Sequence, residues 1–408
     1  MRKTVVLFLS ILILLCIISC SSEGVVDDAF KVTVTFNGNG AKSGSMVPQR
    51  IGRGVETMLK ANEYEWPCHN FTGWNTACDG SGTAYTDGQS INTKENITLY
   101  AQWELDTVVL TSSTYPWTDG KAYILNSDVT IGSWVEVTGN VILILTDGNT
   151  LTASKGISVY DGAALTIDAQ GEGTGVLIAT GSGQAGIGGF GSENCGTVII
   201  NGGVITASGG SGAAGIGGGD EGNFGEITIN GGIVTASGGQ NSAGIGNGWH
   251  GSGGTVTING GTVNATGNGG GAGIGRGEWG DGGERIIIND GNVTASGGTG
   301  AAGIGGGQNG DGGEITINGG NVTASGGTGA AGIGGGGYGD GGEITINGGT
   351  VTASGGTGAV GIGKGTGGTD DGKLNLGEGV SLVVRWSYSP YWSDYDGTNR
   401  RQYMKTVQ

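Results

Sequence analysis

Two columns of side chains have the residue types and the spacing to do chemistry. Asp281, Asp311 and Asp340 recur in Gly-Asp-Gly-Gly, each followed three residues later by a Glu, at Glu284, Glu314 and Glu343, with Glu226 in the same register. Carboxylates stacked at one position of a repeating fold would stand about 4.8 Å apart and repel by about 1 kcal/mol per pair in water. A shared calcium ion would relieve this, using the carboxylates and loop carbonyls as oxygen ligands. The alternative is a solvated acidic edge that repels other chains. The second column is aromatic. Trp249, Trp279 and Tyr338 lie four or five residues past the Ile of Gly-Ile-Gly runs, with His250, Gln308 and Asn309 in neighbouring copies. Flat rings along a rod are suited to stacking on the sugars of a polysaccharide, which makes these three the candidate glycan-binding residues. Folded back over Gly-rich corners, the same rings would be lids.

Catalysis finds less support. Arg276 and Lys364 share one loop column as possible bases of a polysaccharide lyase, but they stand three coils apart, about 14 Å. The patch around Cys195, Asp220, Glu221 and Phe224 is the most irregular part of the repeat and the best place for such a site. His250 sits in Trp-His-Gly, with no nucleophile elbow. Regular Thr columns (Thr206, Thr235, Thr294, Thr323, Thr352, and Thr228, Thr257, Thr316, Thr345) are broken by Asn264 and Ile287, and Thr is an ordinary choice at exposed β positions.

The elements that must position these columns are visible in the period. The chain has 408 residues, 97 of them Gly and 4 Pro, with a formal charge of −17. That charge argues against nucleic acid as a partner. The Ile of Gly-Ile-Gly falls at 187, 216, 245, 274, 304, 333 and 362, and the Asn of Ile-Asn-Gly at 201, 230, 259, 289, 318 and 347. The period is 29 residues, with one insertion beside Arg285. Each unit holds three short alternating runs bounded by Gly, such as Ile344-Thr-Ile346, Val351-Thr-Ala353 and Val360-Gly-Ile362. Three short strands per 29 residues predict a coil of a parallel β-solenoid, inward Ile on Ile and Val on Val, with Gly at the corners. Weaker copies at Val141–Leu145, Asn149–Ser154 and Leu165–Asp168 extend it backwards, to about nine coils and a rod about 40 Å long. Right-handedness is expected from the crossover preference of parallel strands. Tyr115 to Trp134 is expected as the N-terminal cap and residues 386–408 as the C-terminal cap.

At the N-terminus, Arg2 and Lys3 precede an apolar run from Val5 to Ile18, short for a membrane span. The sequence Ile17-Ile18-Ser19-Cys20 resembles the lipobox of bacterial lipoproteins. The resemblance implies a signal peptide over 1–19, lipid on Cys20 and anchorage to the cell envelope, at the surface or outer membrane. An exported compartment permits a disulfide, and Cys68 with Cys78 is the sensible pair, the alternative being two buried thiols. Residues 20–30 form a linker.

Over 31–104, the segments Val32-Thr-Val34-Thr-Phe36-Asn-Gly, Phe71-Thr-Gly73-Trp74 and Ile97-Thr-Leu99-Tyr100-Ala-Gln-Trp103 resemble the Listeria–Bacteroides repeat, the internalin B-repeat type of module. The resemblance implies a small β-grasp-like domain, a spacer or interaction module without catalysis. That family carries Gly where Cys68 stands and Ala where Cys78 stands. Trp74, Trp103, Tyr85 and Phe71 serve either as its core or as a binding face. The Ala-Gly-Ile-Gly-Gly-Gly repeats of the β-helix over 105–385 resemble Gly-rich proteins of gut and oral bacteria, and more loosely carbohydrate-binding β-helix proteins with calcium sites. The whole therefore reads as a mainly β surface lipoprotein that binds glycan or adheres through outward loops. A structural or host-protein interaction rod is the alternative, and a polysaccharide lyase the least favoured.

Overall fold

The computed structural model describes residues 30–385 except 281 and 379, together with the backbone of the short strands Asp394–Tyr395, Gln402–Tyr403 and Lys405–Thr406. Cys20 with its signal segment, Asp281 and most of the expected C-terminal cap lie outside the described residues. The chain divides into two compact units, 1–104 and 105–408.

The first unit is a five-stranded sheet in the order Gln49–Gly52, Lys31–Asn37, Ile97–Leu105, His69–Asn75, Ala84–Tyr85. Alternation along Lys31–Asn37 buries Val32, Val34 and Phe36. Trp74 is buried against Phe36 and Phe71, with ring centroids 5.0 Å away in both cases. Phe71, Tyr85 and Trp103 are half-buried and pack against the same cluster, with Trp74 at its centre. The expected Cys68–Cys78 disulfide is not formed. Buried Cys68 precedes strand His69–Asn75 and exposed Cys78 follows it, so the two flank opposite ends of a seven-residue strand. Such a strand spans about 23 Å, whereas a bridge needs Cα atoms within about 7 Å.

The second unit is a parallel β-solenoid of about 29 residues per turn, as the period predicts. Its first face stacks strands from Thr107–Val109 through Glu226–Ile229 and Arg285–Ile288 to Lys373–Leu376. The second runs from Val129–Ile131 to Ser381–Arg385, where Lys405–Thr406 adds antiparallel. The third runs from Val135–Val137 to Ile362–Gly363. Like stacks on like: Ile227 on Val256, Val256 on Ile286, Val263 on Val293, Ile245 on Ile274. These side chains are inward and buried, forming one continuous column. Burying such a side chain contributes about 1.5–3 kcal/mol.

Two devices hold the coils in register. On the third face the Gly after each Ile has a left-handed backbone, as at Gly246 (φ 131°), and a Cβ there would run into the Gly275 carbonyl of the next coil. Only Gly permits that approach. At the corner between the first and second faces, the Asn of Ile-Asn-Gly forms an amide ladder. Asn201 Nδ2 donates to Asp168 Oδ1 at 2.6 Å, and Asn230, Asn259, Asn289, Asn318 and Asn347 each donate to the Asn one coil before, at 2.7–2.8 Å.

Candidate functional site

The corner loops that leave the third face for the first carry the candidate residues. From the coil of Ile245 onward, each is tied by one recurrent backbone bond at the fourth residue past the Ile. Trp249 N–H donates to Gly212 O (2.9 Å), Glu278 N–H to Asn241 O (2.9 Å), Gln308 N–H to Gly270 O (2.8 Å) and Gly337 N–H to Gly300 O (2.8 Å). The residue after it forms the loop tip and takes left-handed φ at Glu221 (61°), His250 (58°) and Trp279 (61°).

This geometry splits the aromatic column. Trp279 is 53% exposed and Tyr338 67% exposed, both at loop tips two coils apart. Trp249 occupies the preceding position, where it is half-buried, stands edge-on to His250 at 4.3 Å, and keeps its indole N–H buried without a hydrogen-bond partner. Trp249 is thus a lid over its corner, whereas Trp279 and Tyr338 are displayed. The loop-tip column reads Glu221, His250, Trp279, Asn309, Tyr338, all exposed except half-buried Asn309. Tyr338 lies over Gly367 of the next coil, where a Cβ would press on the ring.

The acidic column is put to structural use. Asp311 Oδ1 accepts the Asp340 backbone N–H at 2.8 Å, and Asp340 Oδ1 accepts those of Thr369 (2.6 Å) and Asp370 (2.8 Å). Those N–H groups hold the Asp340 carboxyl below the usual carboxylate range. Glu314 pairs with Arg285 at 3.2 Å and Glu343 with Lys373 at 2.7 Å. Lys373 is also what holds the Glu343 carboxyl below its ordinary value.

Glu284 departs from the column altogether. The inserted residue of its coil puts Arg285, not Glu284, in register with Thr255 and Glu314. Glu284 therefore falls at a position that is Gly in the other coils and turns inward. There it is buried and paired with the Nε of an equally buried Arg276, while its Oε1 has no hydrogen-bond partner. Burial pushes its carboxyl above the ordinary value, against the pull of Arg276. The side chains fit a calcium cage poorly: one carboxylate is inward, two are paired with cations and two cap backbone N–H groups. Among the described residues no three His, Cys, Asp or Glu side chains form a group able to hold a metal.

The residues considered for lyase chemistry are held in pairs or buried. Arg276 is buried in its ion pair, and Lys364 faces Asp371 at 3.5 Å. Cys195 is buried and its thiol is pushed up to about 12 by desolvation. Burial first, and then Glu221, raise the Asp220 carboxyl.

Sequence reasoning missed a cleft near the first coils, lined by Tyr115, Pro116, Ser133, Trp134, Glu136 and Lys155. These residues precede the regular repeat, so no column marked them.

The Listeria–Bacteroides repeat domain matches residues 33–102. The beta helix repeat matches 198–220, 227–249, 256–275, 286–308, 315–337 and 344–363. A protein of Evansella cellulosilytica described as a Gly-rich membrane protein is 39% identical over 85 residues, which cover 19% of this chain and 9% of that protein. The chain thus spans a small part of the curated relative it matches. No solved structure matches it. The repeat-domain match falls on the five-stranded unit and the beta helix matches fall on the solenoid.

Proposed function

We propose that this chain binds a glycan along the ridge of loop tips that carries Trp279 and Tyr338, and that it is held at the bacterial envelope by lipid on Cys20. One observation carries the glycan reading: two large rings stay exposed at equivalent tips of a solenoid whose remaining large apolar side chains are mostly buried. Two coils separate them by about 10 Å, and the recurrent backbone bonds fix the loops beneath them. A ligand that meets rings set in advance loses less conformational freedom on binding. The intervening Asn309, with His250 and Glu221 beyond Trp279, offers donors and acceptors for hydroxyl groups. Adhesion to a host protein is the second reading. Binding fits the geometry better than catalysis, since Arg276 and Cys195 are both buried.

A glycan array probed with the full chain tests this. Binding to one sugar class, lost in Trp279→Ala/Tyr338→Ala with unchanged melting, supports the reading. Silence across the array sinks the glycan ligand and turns attention to host matrix proteins. Chelator in a parallel array should change nothing. Cys20→Ala should move the chain from the membrane fraction to the soluble one.

A further inference from the structure

A second place on the solenoid displays aromatic rings, and it is built differently from the ridge. Tyr115 is 43% exposed and Trp134 44% exposed, whereas their neighbours Trp117 and Tyr123 are buried and stacked at 5.2 Å. The core of these first coils is thus complete without Tyr115 and Trp134. Both flank the cleft, and the elements that present them are fixed. Buried Trp117 anchors the Tyr115-Pro116 segment by donating its N–H to Glu136 O at 2.8 Å. Strand Val135–Val137 pairs with Ile157–Val159, which sets Glu136 beside Ser158. Phe190 stands edge-on to Trp134 at 5.1 Å. Buried Gln184 grips the loop below: its Nε2 donates to Lys155 O at 2.6 Å and its Oε1 accepts from Ser158 Oγ at 3.2 Å.

Polar groups complete the cleft. The Lys155 ammonium sits 5.5 Å over the Trp134 ring, the Glu136 carboxylate is exposed on the adjoining strand, and Ser133 supplies a hydroxyl. One acceptor and two donors around flat rings match a ligand with C–H faces and hydroxyl edges. Charge decides the subclass. The chain carries −17 overall and Glu136 lines the cleft, which disfavours an anionic ligand. Lys155 already occupies the place a cation would take over Trp134. An apolar ligand would strip water from Glu136 and Lys155 without replacing it.

We propose that the Tyr115–Trp134–Lys155 cleft is a binding site for a neutral oligosaccharide, separate from the ridge of loop tips. Sugar rings stack on Trp134 and Tyr115 while their hydroxyls donate to Glu136 and accept from Lys155 and Ser133. The site does not depend on the ridge: no residue is shared, and the cleft lies on the coils before the regular repeat begins.

Isothermal titration of the full chain with short β-1,4-glucan, β-1,3-glucan, β-1,4-mannan and chitin oligosaccharides tests it, with polygalacturonate as the acidic comparison. Saturable binding of at least one neutral sugar is expected, weakened about ten-fold in Trp134→Ala. Because Trp134 also braces Phe190, Glu136→Gln and Lys155→Gln are measured beside it. Each keeps the ring contact with Phe190 and should weaken binding several-fold at unchanged melting. Binding that survives in Trp279→Ala/Tyr338→Ala supports the cleft even if the ridge binds nothing. Four results would overturn the proposal: no neutral sugar bound, a preference for polygalacturonate, binding indifferent to both Trp134→Ala and Glu136→Gln, or binding abolished by the Trp279/Tyr338 pair alone. The last leaves the ridge reading standing.

Discussion

Glu284 shows how one residue can leave its column. It has the spacing of Glu314 and Glu343 from the preceding Ile, so in the sequence it looks like a third exposed carboxylate. The inserted residue turns it into the solenoid, where Arg276 is its partner. Taking both charges out of water costs several kcal/mol, and their attraction offsets that only while both are present. Arg276→Met should therefore cost about 3–5 kcal/mol in denaturant unfolding, and adding Glu284→Gln should recover most of it. If the double variant is no better than the single one, the pair is not the source of the cost. The pH dependence carries the same signature. Glu284 is raised above its ordinary 4.5 by burial. As pH rises from 4.5 through its folded value, the unfolded chain has already lost the proton that the folded chain still holds, so stability falls over that window. Glu284→Gln should remove this slope. Asp340 works in the opposite direction: the N–H bonds that lower it are lost as pH falls below 3.8. The Glu284 behaviour was not readable beforehand, because one inserted residue decides its direction and leaves the count of carboxylates unchanged; that of Asp340 depends on backbone N–H groups one coil on.

Strands, corners and the inward face of every coil were legible, because each repeats and each follows from one local rule. Alternation set Ile227 and Ile229 inward, and paired Gly marked the turns. The Asn ladder was visible as a recurrence but not as a hydrogen-bonded chain ending on Asp168, which takes the place of the first Asn. Likewise Trp249 and Trp279 differ by one position around a loop, and only the backbone bond to Gly212 shows which is lid and which is tip. The cleft was illegible since it lies before the regular repeat. At the level of the elements, the Gly columns give a sharp test. Gly246 combines a left-handed φ with a carbonyl in the way of any Cβ, whereas Gly148 has φ 75° and open space around it. Gly148→Ala should cost about 1–2 kcal/mol from backbone conformation alone. Gly246→Ala should cost about 3 kcal/mol or more, because two coils must separate. Equal costs in thermal melts would mean that the third face is not held by that approach.

The solenoid as a whole is a stack in which each coil touches its neighbours, so its stability should add up coil by coil. Removing residues 305–333 excises one 29-residue period and joins Ile304 to Gly334, with every inward column restored. Arg276 then meets Gly339 where it met Gly310, and Glu284 meets Gly342 where it met Gly313, so the buried pair keeps its surroundings. This shortened chain should keep a single cooperative melt, lowered by a few degrees. A deletion of half that length should leave apolar faces in solvent and fail to fold. The excision also changes the ridge in a defined way. It removes Asn309 and brings Tyr338 to the coil next to Trp279, closing the gap between their tips from about 10 Å to about 5 Å. Rings so close would stack on one another and leave less face for a ligand. Ridge affinity should therefore drop while the cleft at Trp134, several coils away, binds unchanged. Equal loss at both sites would point to damage spread through the stack, and retained ridge affinity would mean that the spacing of Trp279 and Tyr338 is not what selects the ligand.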